Sequence, residues 1–176
     1  MAIAVAQVLS YESIADSFDA MYSSSLPYMN ADNNPWVGQP VEPTDEEKAL
    51  VFRQDFFGAL NADNGHVIIV SLDNAPVSIF SGVMEDTIFK VHYALYNSVN
   101  GSRTWLYDSS IMSDHLTSIK NYFYVQGVTG YTVTAPLNST LYNYHKLNKP
   151  VLGMHTSITE EPHPYVDNVV EITYLF

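Results

Sequence analysis

The sequence predicts an α+β fold within a single domain that spans residues 1–176. The main observation is a change of hydrophobic period along the chain. Apolar residues recur at helical spacing in the first third and in residues 109–126, whereas residues 66–97 follow the period of β-strands. The composition agrees, because 47% hydrophobic and 13% aromatic residues in a chain of 176 suffice for one sizeable core.

The first third of the chain is predicted to hold a strand and a helix before a long loop. Residues 2–9 are apolar and alternate weakly, which predicts a short strand. Ser10 is placed to cap a helix whose buried face carries Ile14, Phe18, Met21 and Tyr22. The four prolines and three asparagines of residues 26–43 predict a long loop.

A second helix is predicted from Thr44 to about Leu60. Thr44 and Glu47 match the T-x-x-E capping box, in which each side chain bonds the backbone N–H of the other residue. The apolar residues of this helix that we expect in the core are Leu50, Val51, Phe57 and Leu60.

The central block is predicted to form three consecutive strands, in residues 66–73, 77–85 and 87–97. Its first turn is Asp73-Asn74-Ala75-Pro76, whose residue types are typical of turns. Simple alternation in the third strand places four apolar side chains on one face, namely Phe89, Val91, Tyr93 and Leu95.

A loop of residues 97–102 precedes a helix predicted from about Ser109 to Gln126, which Gly127 is placed to end. One face of this helix carries Met112, Leu116, Ile119 and Phe123. The remaining predictions are a strand in residues 130–136, a short helix capped by Asn138, and two strands in residues 151–159 and 168–176.

The charge of the chain limits its partners. With 7 Lys and Arg against 19 Asp and Glu, the net charge is −12. Because nucleic acids are bound by cations that neutralise phosphates, we expect no nucleic-acid partner, and anionic membrane surfaces are disfavoured as well. The chain has no cysteine, which excludes disulfides and thiolate chemistry. The absence of cysteine fits a reducing cytoplasm, where we expect the protein. The sequence contains no apolar run of about 18 residues that could span a bilayer.

The histidines do not predict a metal site, because no pair has a metal-ligand spacing; those considered are His145, His155 and His163. Ser113, Asp114 and His115 are the residue types of a catalytic triad. Neighbours on one helix cannot form a triad by adjacency, so capping and solvation explain these three better.

The predicted element order, β-α-α-β-β-β-α-β-α-β-β, resembles that of the GNAT superfamily of N-acetyltransferases. The segment Tyr144-His145-Lys146-Leu147-Asn148 stands where members often have Tyr-x-Lys-Leu-Gly-Phe. The resemblance spans nearly the whole chain. It implies a mixed, mostly antiparallel twisted sheet flanked by helices.

The resemblance also points to a cofactor loop, and here the sequence departs from the family. Members carry Gln/Arg-x-x-Gly-x-Gly/Ala before the long helix, and its backbone N–H groups hold the pyrophosphate of acetyl-CoA. If Arg103 opens the motif, Leu106 and Asp108 occupy the glycine positions, and Gly101 comes too early. A branched side chain would crowd the pyrophosphate and a carboxylate would repel it. Arg103 could still grip a phosphate, or it could be an ordinary surface arginine.

Two residues match catalytic positions of the family. Tyr144 aligns with the tyrosine that protonates the departing thiolate of coenzyme A, and the structural alternative is packing at the end of a short helix. His92 lies in the strand that often carries the general base, where alternation places it on the side of Lys90 and Ala94. The alternative for His92 is a partly buried strand histidine.

Two functional hypotheses follow. The first is a GNAT-like protein that has lost acetyl-CoA binding and acts as a binding or structural component with a protein partner. The high Tyr and Asn content, the lost glycines and the long Pro/Asn loop fit this hypothesis. Some tailed-phage internal virion proteins look like GNAT domains with eroded motifs, and the composition of this sequence resembles that of phage proteins, which would place it in the host cytoplasm or the virion. The second is an active N-acyltransferase that uses acetyl-CoA and a small amine substrate. The oligomeric state stays open.

Overall fold

A computed structural model describes residues 2–28, 41, 43–106, 109–137, 142 and 157–176. The seven described strands are β1 (Ile3–Gln7), β2 (Gly65–Leu72), β3 (Ala75–Glu85), β4 (Ile88–Tyr96), β5 (Gly130–Pro136), β6 (Ser157–Pro162) and β7 (Val169–Leu175). The three described α-helices are α1 (Ala15–Ser25), α2 (Asp45–Gly58) and α3 (Ser109–Tyr124). No helix within these described ranges combines the length and the apolar character needed to cross a lipid bilayer.

The strands form one sheet in the order β1-β2-β3-β4-β5-β7-β6. Every neighbouring pair is antiparallel except β4 and β5, which are parallel and joined by a crossover through α3. The α+β class and the mixed, mostly antiparallel sheet are therefore confirmed. The consecutive pairing of β2, β3 and β4 confirms the three predicted central strands. The position of β7 between β5 and β6 is a tertiary feature that strand patterning does not predict.

Helices cover both faces of the sheet, and each face has its own apolar cluster. The cluster beneath α3 contains Phe80, Phe89, Trp105, Met112 and Phe123. The cluster beneath α1 and α2 contains Phe18, Met21, Phe56, Ile79 and Leu95. Two faces that alternate along each strand explain why the strands read as nearly continuous apolar runs.

The N-terminal helix starts later than predicted. A short 3-10 turn, Glu12–Ile14, comes first, and the Ser10 Oγ accepts a hydrogen bond from the Ser13 N–H of this turn at 3.3 Å. Helix α1 itself begins at Ala15. The predicted face is correct, because Phe18 and Met21 are buried and Ile14 and Tyr22 pack against the same cluster.

The second helix begins as predicted, with both hydrogen bonds of the Thr44–Glu47 capping box formed. Its predicted core is partly wrong: Phe56 is the buried residue, whereas Leu50 is exposed. A helix with several adjacent apolar residues can turn either of two faces inward. Here the face of Phe56 is buried, and its ring contacts those of Phe18 edge-on and Phe52 at a tilt.

The C-terminal half agrees with the sequence where it is described. Helix α3 ends before Gly127, whose φ of 78° is left-handed, and β5 has the predicted bounds. The strand predicted at residues 151–159 overlaps β6 at residues 157–159, and its first part, residues 151–156, lies outside the described residues. The strand predicted at 168–176 is β7. The short helix capped by Asn138 and most of the loop at residues 26–43 lie outside the described residues.

Candidate functional site

Strands β4 and β5 separate halfway along their length. Their parallel pairing covers four residue pairs, from Ile88 with Gly130 to Val91 with Val133. Beyond these pairs β4 continues to Tyr96 and β5 to Pro136. The carboxyl ends of parallel strands next to a crossover are where open sheets bind ligands. This divergence is therefore the candidate site.

A β-bulge at His92 accompanies the separation. Ser81 pairs with Tyr93 but its neighbour Gly82 pairs with Val91, so His92 has no partner in β3. A Cβ on Gly82 would lie 1.9 Å from the Lys90 carbonyl oxygen, so only glycine fits opposite the bulge. The strand glycine is the signal in the sequence that could have predicted the bulge.

The bulge overturns the predicted alternation of β4. Phe89 and Val91 pack in the cluster under α3, whereas Tyr93 and Leu95 pack under α1 and α2, because one extra residue shifts the period.

For the same reason Lys90 and Ala94 cannot share a side. Lys90 alternates with Phe89 and Val91, and Ala94 packs in the cluster under α3 with them. The placement of His92 beside both is therefore wrong. His92 is exposed, and its role as a general base stays a prediction.

The loop that follows β4 folds into a tight two-residue turn. Val99 and Ser102 exchange backbone hydrogen bonds of 2.8 and 3.1 Å around Asn100 and Gly101. Both central residues have positive φ, 51° and 73°, which is the type I′ geometry that Asn-Gly favours. The turn geometry alone thus accounts for Gly101, which is exposed at the tip with open space around its Cα.

Arg103 turns back toward the end of β4. Its Nη2 donates to the Tyr96 carbonyl oxygen at 2.7 Å, and Ser25 Oγ donates to the same oxygen at 3.1 Å. The Nε and Nη1 atoms of Arg103 are buried. The guanidinium therefore holds the loop to β4, at a carbonyl oxygen that Ser25 of α1 also bonds, instead of facing solvent.

Trp105 and Leu106 fill the space between this loop and α3. Trp105 is 3% exposed, and its Nε1 donates to the Asn97 carbonyl oxygen at 2.8 Å. Its ring lies 6.2 Å from that of Tyr96 and 5.3 Å from that of His115. Leu106 packs against the same cluster, half-buried.

A buried polar pair lies beneath Trp105. The Nε2 atom of His115 lies 2.7 Å from the Oγ of Ser78 in β3, and both side chains are buried. Burial lowers the pKa of His115 to about 3, so the ring is neutral at pH 7. The interpretation of His115 as a solvated residue is therefore wrong. Its spacing from Met112 and Ile119 already places it on the buried face of the helix.

Two of the predicted site residues, Asp108 and Tyr144, lie outside the described residues. The described ones, His92, Gly101, Arg103 and Leu106, all lie in or just after β4. Within the described ranges no group of three or more His, Asp or Glu side chains is arranged to hold a metal ion.

No protein-family model matches the sequence, and a comparison with curated proteins finds no match either. Solved structures do match. The PaiA N-acetyltransferase of Thermoplasma acidophilum, solved in complex with coenzyme A, superposes with a TM-score of 0.60 at 7% identity over 100% of both chains. The chain has the GNAT fold.

Further GNAT structures agree in fold while differing in substrate. The Salmonella typhimurium acetyltransferase that modifies the N-terminal serine of ribosomal protein L7/L12 matches with a TM-score of 0.56 at 9% identity, over 98% of this chain and 92% of that one. An aminoglycoside 6′-acetyltransferase of type Ii matches with a TM-score of 0.57 at 10% identity, over 100% and 96%. These superpositions establish the GNAT fold. Because the sequence identities are this low, the activity has to be argued from the site.

Proposed function

We propose that this chain uses the GNAT fold as a scaffold for binding a protein partner and does not bind acetyl-CoA. The observation that carries the proposal is the closed loop between β4 and α3. In the part of the loop that the structure describes, residues 97–106, backbone donors bond within the loop itself, and Trp105 and Leu106 fill the adjoining space.

Pyrophosphate binding of the GNAT kind needs backbone N–H groups that are open to the ligand. Within the motif, the N–H groups of Thr104 and Leu106 already donate to loop oxygens, both at 3.1 Å. Just before it, the N–H groups of Val99 and Ser102 are held in the tight turn at 2.8 and 3.1 Å. A phosphate would have to break these bonds before it could accept from the same donors. The net cost of each lost hydrogen bond is on the order of 1 kcal/mol, which lowers affinity several-fold.

The charges of the region point the same way. The only cation in residues 97–108 is Arg103, whose Nη2 is committed to the Tyr96 carbonyl. Against it stand Asp108, close by in sequence, and a net charge of −12 for the chain. A ligand with several phosphate charges therefore meets repulsion with little local compensation.

An active N-acyltransferase is the second candidate, and the divergence of β4 and β5 favours it. The opening remains at the carboxyl ends of the two strands, and His92 is exposed at the bulge beside it. In this alternative His92 accepts the proton of the amine and Tyr144 protonates the departing thiolate. The partner class in the first proposal, including a virion component, stays a prediction from composition.

Thermal melting with and without acetyl-CoA separates the two candidates. A cofactor present at about 100 times its dissociation constant stabilises the folded state by about 2.7 kcal/mol. For a chain of this size that shift raises the Tm by about 5–10 °C. We expect that millimolar acetyl-CoA raises the Tm no more than the same concentration of ADP does. A specific rise of several degrees would favour the acyltransferase.

A further inference from the structure

We propose that two copies of this chain associate through their β1 edges, which pair antiparallel about a two-fold axis and join two seven-stranded sheets into one. The proposal rests on the hydrogen-bonding row, the side chains and the charge of β1. It is independent of whether acetyl-CoA binds.

The outer edge of β1 carries a row of backbone groups that do not bond to β2. Val8 N–H donates to the Val67 carbonyl, and Asp73 N–H donates to the Ala2 carbonyl, both at 2.8 Å. Even-numbered residues of β1 therefore bond to β2, and by antiparallel alternation the N–H and C=O groups of Ile3, Val5 and Gln7 point outward. β1 ends the sheet, and no described strand pairs with this row.

The two edges of the sheet are protected very differently. Backbone pairing of His163 with Val169 places the odd-numbered residues of β6 against β7, so Ile158, Glu160 and Pro162 face outward. A proline has no N–H to donate, and a charged residue discourages pairing. β1 has neither device, since residues 2–9 contain no charged residue and no proline. Closed pairing of β1 with β1 is therefore favoured over an open chain that joins β1 to β6.

The outward row of β1 is complementary to itself. With Val5 on the two-fold axis, Val5 faces Val5 of the second copy, and Ile3 faces Gln7 of the second copy. All three outward residues of each copy then fall in positions that exchange two hydrogen bonds. Ala4 and Ala6 are exposed, and each would lie opposite the other in the second copy. Leu9, 76% exposed just beyond the strand, adds apolar surface at each end.

A second copy fits this edge better than a strand from a different protein. Specific recognition of a foreign strand uses pockets for alternate side chains. The exposed side chains of β1 are two alanines and a glutamine, which form no such pockets. β1 itself carries no charged side chain, so pairing two β1 strands sets no like charges directly opposite each other.

Sedimentation analysis of three charge variants tests the proposed register. Ala4→Glu with Ala6→Glu, and Ala4→Lys with Ala6→Lys, both set like charges opposite each other across the two-fold axis. Ala4→Lys with Ala6→Glu sets opposite charges in the same two places and keeps the net charge of the wild type. Circular dichroism and thermal melting establish that each variant is folded.

We expect a reversible dimer for the wild type. The dissociation constant should rise at least about tenfold in both like-charge variants and stay near or below the wild-type value in the mixed variant. A wild type that remains monomeric up to about 200 µM would overturn the proposal. Like-charge variants that dimerise as tightly as the wild type would also overturn it. So would a mixed variant that dissociates, because its like charges lie opposite each other only if the two β1 strands pair in parallel.

Discussion

Replacing Trp105 with alanine is expected to lower the free energy of unfolding by about 3–5 kcal/mol, the usual cost of removing a buried Trp ring. The ring is 3% exposed and packs between Tyr96 and His115. Truncation leaves a cavity under the cofactor-loop position and removes the donor that satisfies the Asn97 carbonyl. Urea unfolding at pH 7 measures the loss.

Tyr124→Ala is the matched control for this change. Tyr124 is an aromatic residue at the end of α3 that is 69% exposed, so its removal should change stability by no more than about 0.5 kcal/mol. A loss below about 1 kcal/mol for Trp105→Ala would show that the loop is not built around this ring, and the argument for a closed loop would lose its main support.

The second large effect concerns acid. Burial lowers the pKa of His115 to about 3 in the folded protein, against an ordinary value of about 6.5 in the unfolded chain. Between about pH 3 and pH 6.5, His115 is therefore protonated in the unfolded state and neutral in the folded state. Stability contributed by the neutral ring is fully present above about pH 6.5 and is lost as the pH falls toward about 3. The expected loss over this interval is on the order of 3–5 kcal/mol.

A double variant isolates this contribution from that of the carboxylates. Ser78→Ala with His115→Leu replaces both members of the 2.7 Å pair by apolar side chains, so neither is left as a buried orphan. Unfolding free energies measured between pH 7 and pH 3 should fall less steeply in the variant than in the wild type. Parallel curves would mean that His115 is hydrated or protonated in the folded state, contrary to its burial.

Local signals in the sequence predict most of this fold. The Thr44–Glu47 box starts α2, and Gly127 ends α3, because both depend on hydrogen bonds and dihedral angles within a few residues. The period of two identifies β2, β3 and β4. What fails is whatever depends on a distant partner. The bulge at His92 is set by the close approach of Gly82 to the Lys90 carbonyl, which no pattern within β4 reveals.

The sequence predicts where the candidate site lies but not the contacts within it. Family resemblance directs attention to residues 101–108, and the unusual residues there are visible in the sequence. The sequence does not show that Arg103 bonds the Tyr96 carbonyl, that the Trp105 ring packs on His115, or that His115 pairs with Ser78. These contacts join β3, β4, α1 and α3, so they become visible only in the assembled fold.

Calorimetric titration tests most directly whether the loop between β4 and α3 excludes acetyl-CoA. Leu106→Gly with Asp108→Gly restores glycine at both family positions, and Asp63→Gly, before the start of β2 at the opposite end of the sheet, controls for the loss of one charge. We predict only heat of dilution when acetyl-CoA is titrated to about 1 mM into the wild type or the Asp63→Gly control, and measurable binding in the double-glycine variant. Saturable binding of acetyl-CoA by the wild type with a dissociation constant of about 10 µM or less would contradict this exclusion and favour the acyltransferase.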